Sequence, residues 1–207
     1  MPPKAPAAIP SGVHRMPEGL KIVSSLFEWI EGLYRLPDRV RVPNKFSLAF
    51  EIQVQEWDNW CWAATASSIS RHFDRNDYLP QSEIVGRSLG LPPPWVADKS
   101  WDKGAPMLTG LHIVGCEGST YAGSTDLRHV LRQLDKGNPV CVQIKWPLKG
   151  GHAVVIHGCW LDETGADHFL VGDPGYGSSS PTPGNELRDN YIGRGGEWVQ
   201  TYHVRAP

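Results

Sequence analysis

The stretch Gln55-Glu-Trp-Asp-Asn-Trp-Cys61-Trp-Ala-Ala constrains the fold of this chain more than any other. Upstream of it, Phe46, Leu48, Phe50, Ile52 and Val54 alternate with Ser47, Ala49, Glu51, Gln53 and Gln55, the period of a half-buried strand. Downstream, Trp62-Ala-Ala-Thr-Ala-Ser-Ser-Ile-Ser reads as a buried, Ala-rich helix, with Asp58 and Asn59 as good N-cap residues. A strand therefore feeds a helix through a short turn, and a cysteine sits where that helix begins. The positive end of a helix dipole lowers a thiol pKa, and only the thiolate is a strong nucleophile. Gln55 at the strand end is placed to offer its amide to an oxyanion, with the Cys61 N–H as second donor. Gln53 is a rival donor two residues farther from Cys61. The competing reading of Cys61 is a small buried residue at a helix start.

A second motif separates these readings. In Gly150-Gly-His152-Ala-Val-Val-Ile-His157-Gly-Cys-Trp-Leu, two glycines precede a histidine that opens an apolar, β-branched run. Asp162-Glu-Thr-Gly-Ala-Asp is turn chemistry, and His168-Phe-Leu-Val-Gly-Asp173-Pro174 returns as the second arm of a hairpin. Asp173 thus comes back beside His152, where it can fix one ring nitrogen and leave the other for Cys61. Asp162 is too far along the strand, roughly 30 Å away at about 3.3 Å per residue. His157, an odd number of residues from His152, points to the opposite face of the sheet.

Gln55-x5-Cys61-Trp-Ala, then Gly-Gly-His152, then Asp173-Pro174 on the following strand, resembles a papain-like cysteine peptidase from about Phe46 to Val204. Within that clan the chain is most similar to the bacterial branch of type III effector proteases of plant pathogens. Double-glycine leader peptidases and interbacterial toxin proteases are also similar. The resemblance implies Cys61 as nucleophile, His152 as general acid/base, Asp173 as its orienter and Gln55 as oxyanion donor. It implies a papain-like α+β fold, with a helical half carrying the thiol packed on an antiparallel sheet half carrying His152 and Asp173. The implied activity is that of a cysteine endopeptidase, without a cofactor or metal, acting on a protein or peptide substrate as a bacterial effector or toxin. An immunity or inhibitor protein is the partner implied for a toxin. Eukaryotic papains usually have Asn where this chain has Asp173. A cell-wall peptide amidase, an acyltransferase using the same machinery and an inactive papain-like binding module are the alternatives.

Composition narrows the remaining classes. A net charge of −2 over 207 residues, with no basic block, argues against nucleic acid as the main partner. No apolar run approaches the length of a membrane span, and Met1-Pro-Pro-Lys-Ala-Pro-Ala-Ala-Ile-Pro is too Pro-rich for a signal-peptide core. A cytoplasmic protein, a fragment, or an effector exported by a specialised route fits that pattern. With Cys61 free, Cys116, Cys141 and Cys159 leave an odd number without compact spacing. Buried thiols suit them best. A Cys141–Cys159 disulfide is possible but not required, and zinc on Cys116 and His112 lacks the usual ligand spacing.

The expected organisation is a disordered tail over residues 1–15, an amphipathic helix and linker over 16–44, and the peptidase domain over 45–207. Leu20, Val23, Phe27, Ile30 and Tyr34 recur at helical spacing between Pro17 and Pro37. The mixed charges of Glu18, Lys21, Glu28, Glu31 and Arg35 suit a helix packed on its own domain better than a membrane surface. Docking on a partner and an inhibitory propeptide are the other roles for this segment. Further along, Pro80 opens a short helix. A Pro- and Trp-rich stretch from Leu91 to Met107 either lines a cleft or covers the core. Ser124 caps a helix bearing Leu127, Val130, Leu131 and Leu134, stopped at Gly137, and strands follow at Pro139–Trp146 and Glu197–Val204.

Overall fold

The computed structural model describes residues 46–148 and 150–207. The tail and the amphipathic helix expected over residues 1–44 lie outside the described residues.

The antiparallel sheet is built on β4 (Gly151–Leu161), whose first half pairs with β3 (Val140–Lys145) and whose far half pairs with β5 (Asp167–Asp173). Its far half pairs with the short β1 (Phe46–Ser47), Phe46 opposite Cys159. The path across the sheet runs β2 (Glu117–Ala122), β7 (Glu197–Val204), β3, β4, β5, β6 (Ser178–Pro183). The β4–β5 hairpin closes as its turn chemistry requires: Asp162 N–H donates to Ala166 O, and Asp162 Oδ1 accepts from the N–H groups of Thr164 and Ala166.

The helices are α1 (Cys61–Phe73), α2 (Gln81–Ser88), α3 (Met107–Ile113), α4 (Leu127–Leu134) and α5 (Gly184–Asp189), with a 3₁₀ turn at Lys99–Trp101. One core joins α1, α2 and α3 to the sheet. Trp60, Trp62, Ala63, Ala66, Ile69, Ile84, Met107 and Leu111 meet Cys141, Ala153, Val155 and Tyr202. α4 packs on β3 and β4, with Val130 and Leu134 fully buried. A helical layer carrying Cys61 therefore lies against an antiparallel sheet carrying His152, the α+β arrangement expected. No helix among the described residues is long and apolar enough to cross a membrane.

Three local expectations need correction. The strand predicted over Phe46–Gln55 ends at Ser47. Its alternation persists as far as buried Phe50 and Ile52 but fails at Val54, which is 58% exposed. The chain leaves the sheet because other partners take its backbone: Gln53 N–H donates to Ser68 Oγ at 2.9 Å and Gln55 N–H to Pro174 O at 2.9 Å. The N-cap of α1 is Trp60, not Asp58 or Asn59, and no side chain caps it. Asn59 is drawn instead to Asp102, its N–H 2.9 Å from Oδ1. At α4 the cap is Asp126 rather than Ser124, its carboxylate accepting from His129 N–H at 2.8 Å. α3, β2, β6 and α5 were not foreseen.

The Pro- and Trp-rich stretch clamps the start of α1. Trp60 Nε1 donates to Trp101 O at 2.9 Å and Trp62 Nε1 to Lys103 O at 3.2 Å. Both indoles are buried, so neither Trp60 nor Trp62 walls a cleft. On its other side α1 meets α3 at Gly110, where an added Cβ would lie 2.8 Å from Ala66 Cβ and 3.1 Å from Trp62 O. Gly110→Ala gains helix propensity worth about 1 kcal/mol, but the contact is rigid and overpacking dominates. We expect a net loss of about 1–3 kcal/mol in urea unfolding; unchanged or increased stability would show that the α1–α3 contact yields freely.

Candidate active site

β4 presents His152 through the two glycines before it. Gly150 has φ of +81°, a conformation that costs little only without a side chain. At Gly151 an added Cβ would lie 2.4 Å from Gln143 Nε2. That amide reaches the carbonyls of Ile144 and His152, each at 3.3 Å. The register of the β4–β5 hairpin, with Val155 opposite Gly172, returns Asp173 to the same end of the sheet. His152 Nε2–H then donates to Asp173 Oδ1 at 2.6 Å. With Nε2 committed, Nδ1 is the nitrogen left for Cys61, the other hydrogen-bond partner of the ring.

Electrostatics follow from this chain of contacts. Burial works to lower the His152 pKa, but the hydrogen bonds and charges of Asp173 and Cys61 outweigh it and hold the ring at about 9. Burial likewise pushes the Asp173 pKa up, yet the carboxyl stays below its ordinary value because His152, the Tyr191 hydroxyl and the Gly175 N–H all donate to it. The last two lie at 2.8 Å from Oδ2 and Oδ1 respectively. Trp146 covers the group from one side, its ring centroid 6.2 Å from His152 and 6.3 Å from Tyr191 in stacked geometry.

Cys61 begins α1, partly accessible. The first turn carries no acidic residue and no side-chain cap, so nothing local offsets the positive end of the dipole. The other three cysteines differ. Cys116, Cys141 and Cys159 are buried and free, with no disulfide. Burial pushes Cys116 up to about 11 and Cys159 to about 12, and raises Cys141 as well. Such thiols are inert.

Gln55 stands on the approach to Cys61. Its Nε2 donates to the carbonyls of Trp57 at 3.0 Å and Asp58 at 2.7 Å, while Oε1 is buried without a partner. Gln81, fully buried on α2, brackets the same segment: its Nε2 donates to Val54 O at 2.7 Å and its Oε1 accepts from Glu56 N–H at 3.0 Å. The rival Gln53 turns to α1, donating to Ser67 Oγ at 2.9 Å. Asp162 stays in its hairpin turn with His168 at 3.0 Å. His157 packs on Phe50 at 5.2 Å between ring centroids and contacts Ser179 Oγ at 2.8 Å.

Sequence reasoning missed Tyr191, Trp146 and Gln81. Trp146 stands just before the Gly-Gly-His motif, and that proximity was the one available signal. Tyr191 and Gln81 reach the site from elements with no sequence pattern pointing to it.

The raised His152 pKa has a consequence for stability. A histidine held above its unfolded value of about 6.5 contributes its full stabilisation below that pH and loses it as pH rises through about 9. The difference in Tm between the wild type and His152→Gln should therefore shrink from about pH 6 to about pH 10. A difference that stays constant across that range would show that His152 is not held protonated by its neighbours.

Comparison with known proteins places the chain. No curated protein matches its sequence. Among solved structures it is similar to the proform of the Amb a 11 cysteine protease, a ragweed pollen allergen, at 12% identity and a TM-score of 0.44. That match covers 81% of this chain and 66% of the other, so the chain spans just under two thirds of that protein's length. Residues 42–185, well over half of the 207, match the family described as papain-like cysteine protease AvrRpt2. The chain belongs to that family of cysteine peptidases.

Proposed function

We propose that this protein is a cysteine endopeptidase that cleaves protein substrates with Cys61 as nucleophile, His152 as general acid/base and Asp173 as the residue orienting it. The observation that carries this reading is the placement of His152 between two partners, Asp173 at 2.6 Å on Nε2 and the Cys61 thiol on its other side. A ring that holds its proton up to about pH 9 next to a thiol at a helix N-terminus favours the thiolate–imidazolium pair.

The thiolate attacks the scissile carbonyl carbon, and the carbonyl π electrons move onto oxygen. The Cys61 N–H and the Gln55 amide stabilise that oxyanion. Gln55 then exchanges one of its present acceptors, Trp57 O or Asp58 O, for the oxyanion, a modest rearrangement on binding. His152 protonates the departing amine as the C–N bond breaks, leaving a thioester on Cys61. Water, deprotonated by His152, adds to the thioester, and its C–S bond breaks to release the acid and regenerate the pair.

Family membership further supports action as a bacterial effector or toxin protease, with an immunity or inhibitor protein as the partner expected of a toxin. Export by a specialised route accompanies that reading.

Cys61→Ala should abolish turnover, and Gln55→Ala should lower kcat/KM by about 10²–10³, the usual effect of losing one oxyanion donor. Intact-mass analysis after treatment with an epoxide inhibitor of papain-type thiols should give one adduct, mapped to Cys61 and absent from Cys61→Ala. Wild-type turnover by Cys61→Ala, or no adduct at Cys61, would overturn the proposal.

A further inference from the structure

We propose that Tyr191 is a positioning residue of this site, a fourth member of the chain Cys61–His152–Asp173–Tyr191 that fixes the plane in which the carboxylate faces the histidine. The inference rests on the reading of Cys61, His152 and Asp173 given above. It begins from the division of labour on Asp173. Oδ1 faces His152 Nε2 and the Gly175 N–H, at 2.6 and 2.8 Å, and Oδ2 takes the Tyr191 hydroxyl at 2.8 Å. A carboxylate has one torsion by which its two oxygens exchange places. Donors on both oxygens, from opposite sides, lock that torsion.

The surroundings of Tyr191 point to a fixed support rather than incidental packing. The residue is 1% exposed, and its backbone N–H is held by Gly196 O at 2.9 Å. The turn that returns the chain to Gly196 passes through Ile192 at φ of +50°. A β-branched residue in that region stores about 1–3 kcal/mol of strain. Asn190 steadies the turn, its carbonyl and Oδ1 accepting from Gly193 and Gly195, both at 2.8 Å. Gly196 leaves room for Trp146, since a Cβ there would lie 2.6 Å from its ring. Trp146 stacks on both His152 and Tyr191, so both ends of the His152–Asp173–Tyr191 relay lean on one indole.

The charged and titratable groups facing Asp173 are His152 and Tyr191, with Cys61 beyond His152. Those acting on Tyr191 are Asp173, Tyr176 and Glu186. Burial and the Asp173 charge keep the phenol protonated, so it serves as a donor throughout the working range. Its hydrogen bond helps hold Asp173 ionised at low pH. Removing it makes the carboxylate easier to protonate, and protonation withdraws the charge that supports the imidazolium.

The test follows the rate at which iodoacetamide alkylates Cys61 in the full chain between about pH 3.5 and 9, read by peptide mass, because it needs no substrate. The wild-type profile should show an acid limb that follows protonation of the His152–Asp173 pair. In Tyr191→Phe, which keeps the ring, the acid limb should move to higher pH by about one unit, the tenfold worth of a hydrogen bond to a charged group. Should that variant fail to fold, 3-fluorotyrosine at position 191 keeps the packing and strengthens the donor, moving the limb to lower pH. Acid limbs that superimpose on the wild type in the folded Tyr191 proteins would overturn the positioning role while leaving the peptidase reading intact. A wild-type rate that simply follows free-thiol ionisation would overturn that reading, and this inference with it.

Discussion

Taking a carboxylate out of water costs several kcal/mol unless donors replace the lost hydration. Asp173 is 3% exposed, and its compensation involves β4, the turn after β5 and the loop after α5. His152, Gly175 and Tyr191 each supply a donor. Desolvation opposes the charge, the three donors outweigh it, and the carboxyl remains ionised. The same pairing raises His152, whose own burial would otherwise make it a weak base. The basicity at Nδ1, facing the thiol, is therefore raised from both sides of the ring, by Asp173 on Nε2 and by Cys61 itself.

The two layers meet at the site through backbone as well as side chains. The carbonyl of Pro174, directly after Asp173, accepts from the N–H of Gln55 at 2.9 Å, so the Asp-Pro turn and the segment leading to Cys61 hold each other in register. Gln81 grips the carbonyl before Gln55 and the amide after it. The arrangement explains why a promising strand ends after two residues. Its later hydrogen bonds are given to α1, α2 and the Asp173 turn, which is what brings Gln55 away from the sheet toward Cys61.

Much of this was legible where the information is local. The period-two run from Gly151, the glycine-containing turn and the returning strand each carry their own signal, so the His152–Asp173 pairing follows from the spacing alone. The Ala-rich start of α1 was equally plain. Features determined by distant partners were not. Asn59 is a good N-cap by type, but Asp102, far along the chain, takes it. β6 reads Ser-Ser-Ser-Pro-Thr-Pro and has no apolar alternation; two prolines suit it to the sheet edge it occupies. β2 is mostly exposed and α3 is only seven residues long with a glycine at its packing face. Tyr191 follows a six-residue helix and lies within a turn, where no periodicity marks its role.

The missing cap on α1 bears on the chemistry. A side-chain acceptor from Asp58 or Asn59 would have occupied a first-turn N–H and placed negative charge or dipole against the helix end. Asp102 holds Asn59 away from that position, and Lys99 in turn holds Asp102 at 2.8 Å. Trp60 and Trp62, tied to the carbonyls of Trp101 and Lys103, keep the turn closed without a polar cap. The helix end is thus stabilised by long-range contacts that leave its first amides free of side-chain acceptors. On the proposed mechanism, an anion developing beside Cys61 meets the dipole and the Cys61 N–H directly, with no side-chain acceptor to displace. What costs α1 an N-cap is what would suit its first turn to the oxyanion of the proposed mechanism.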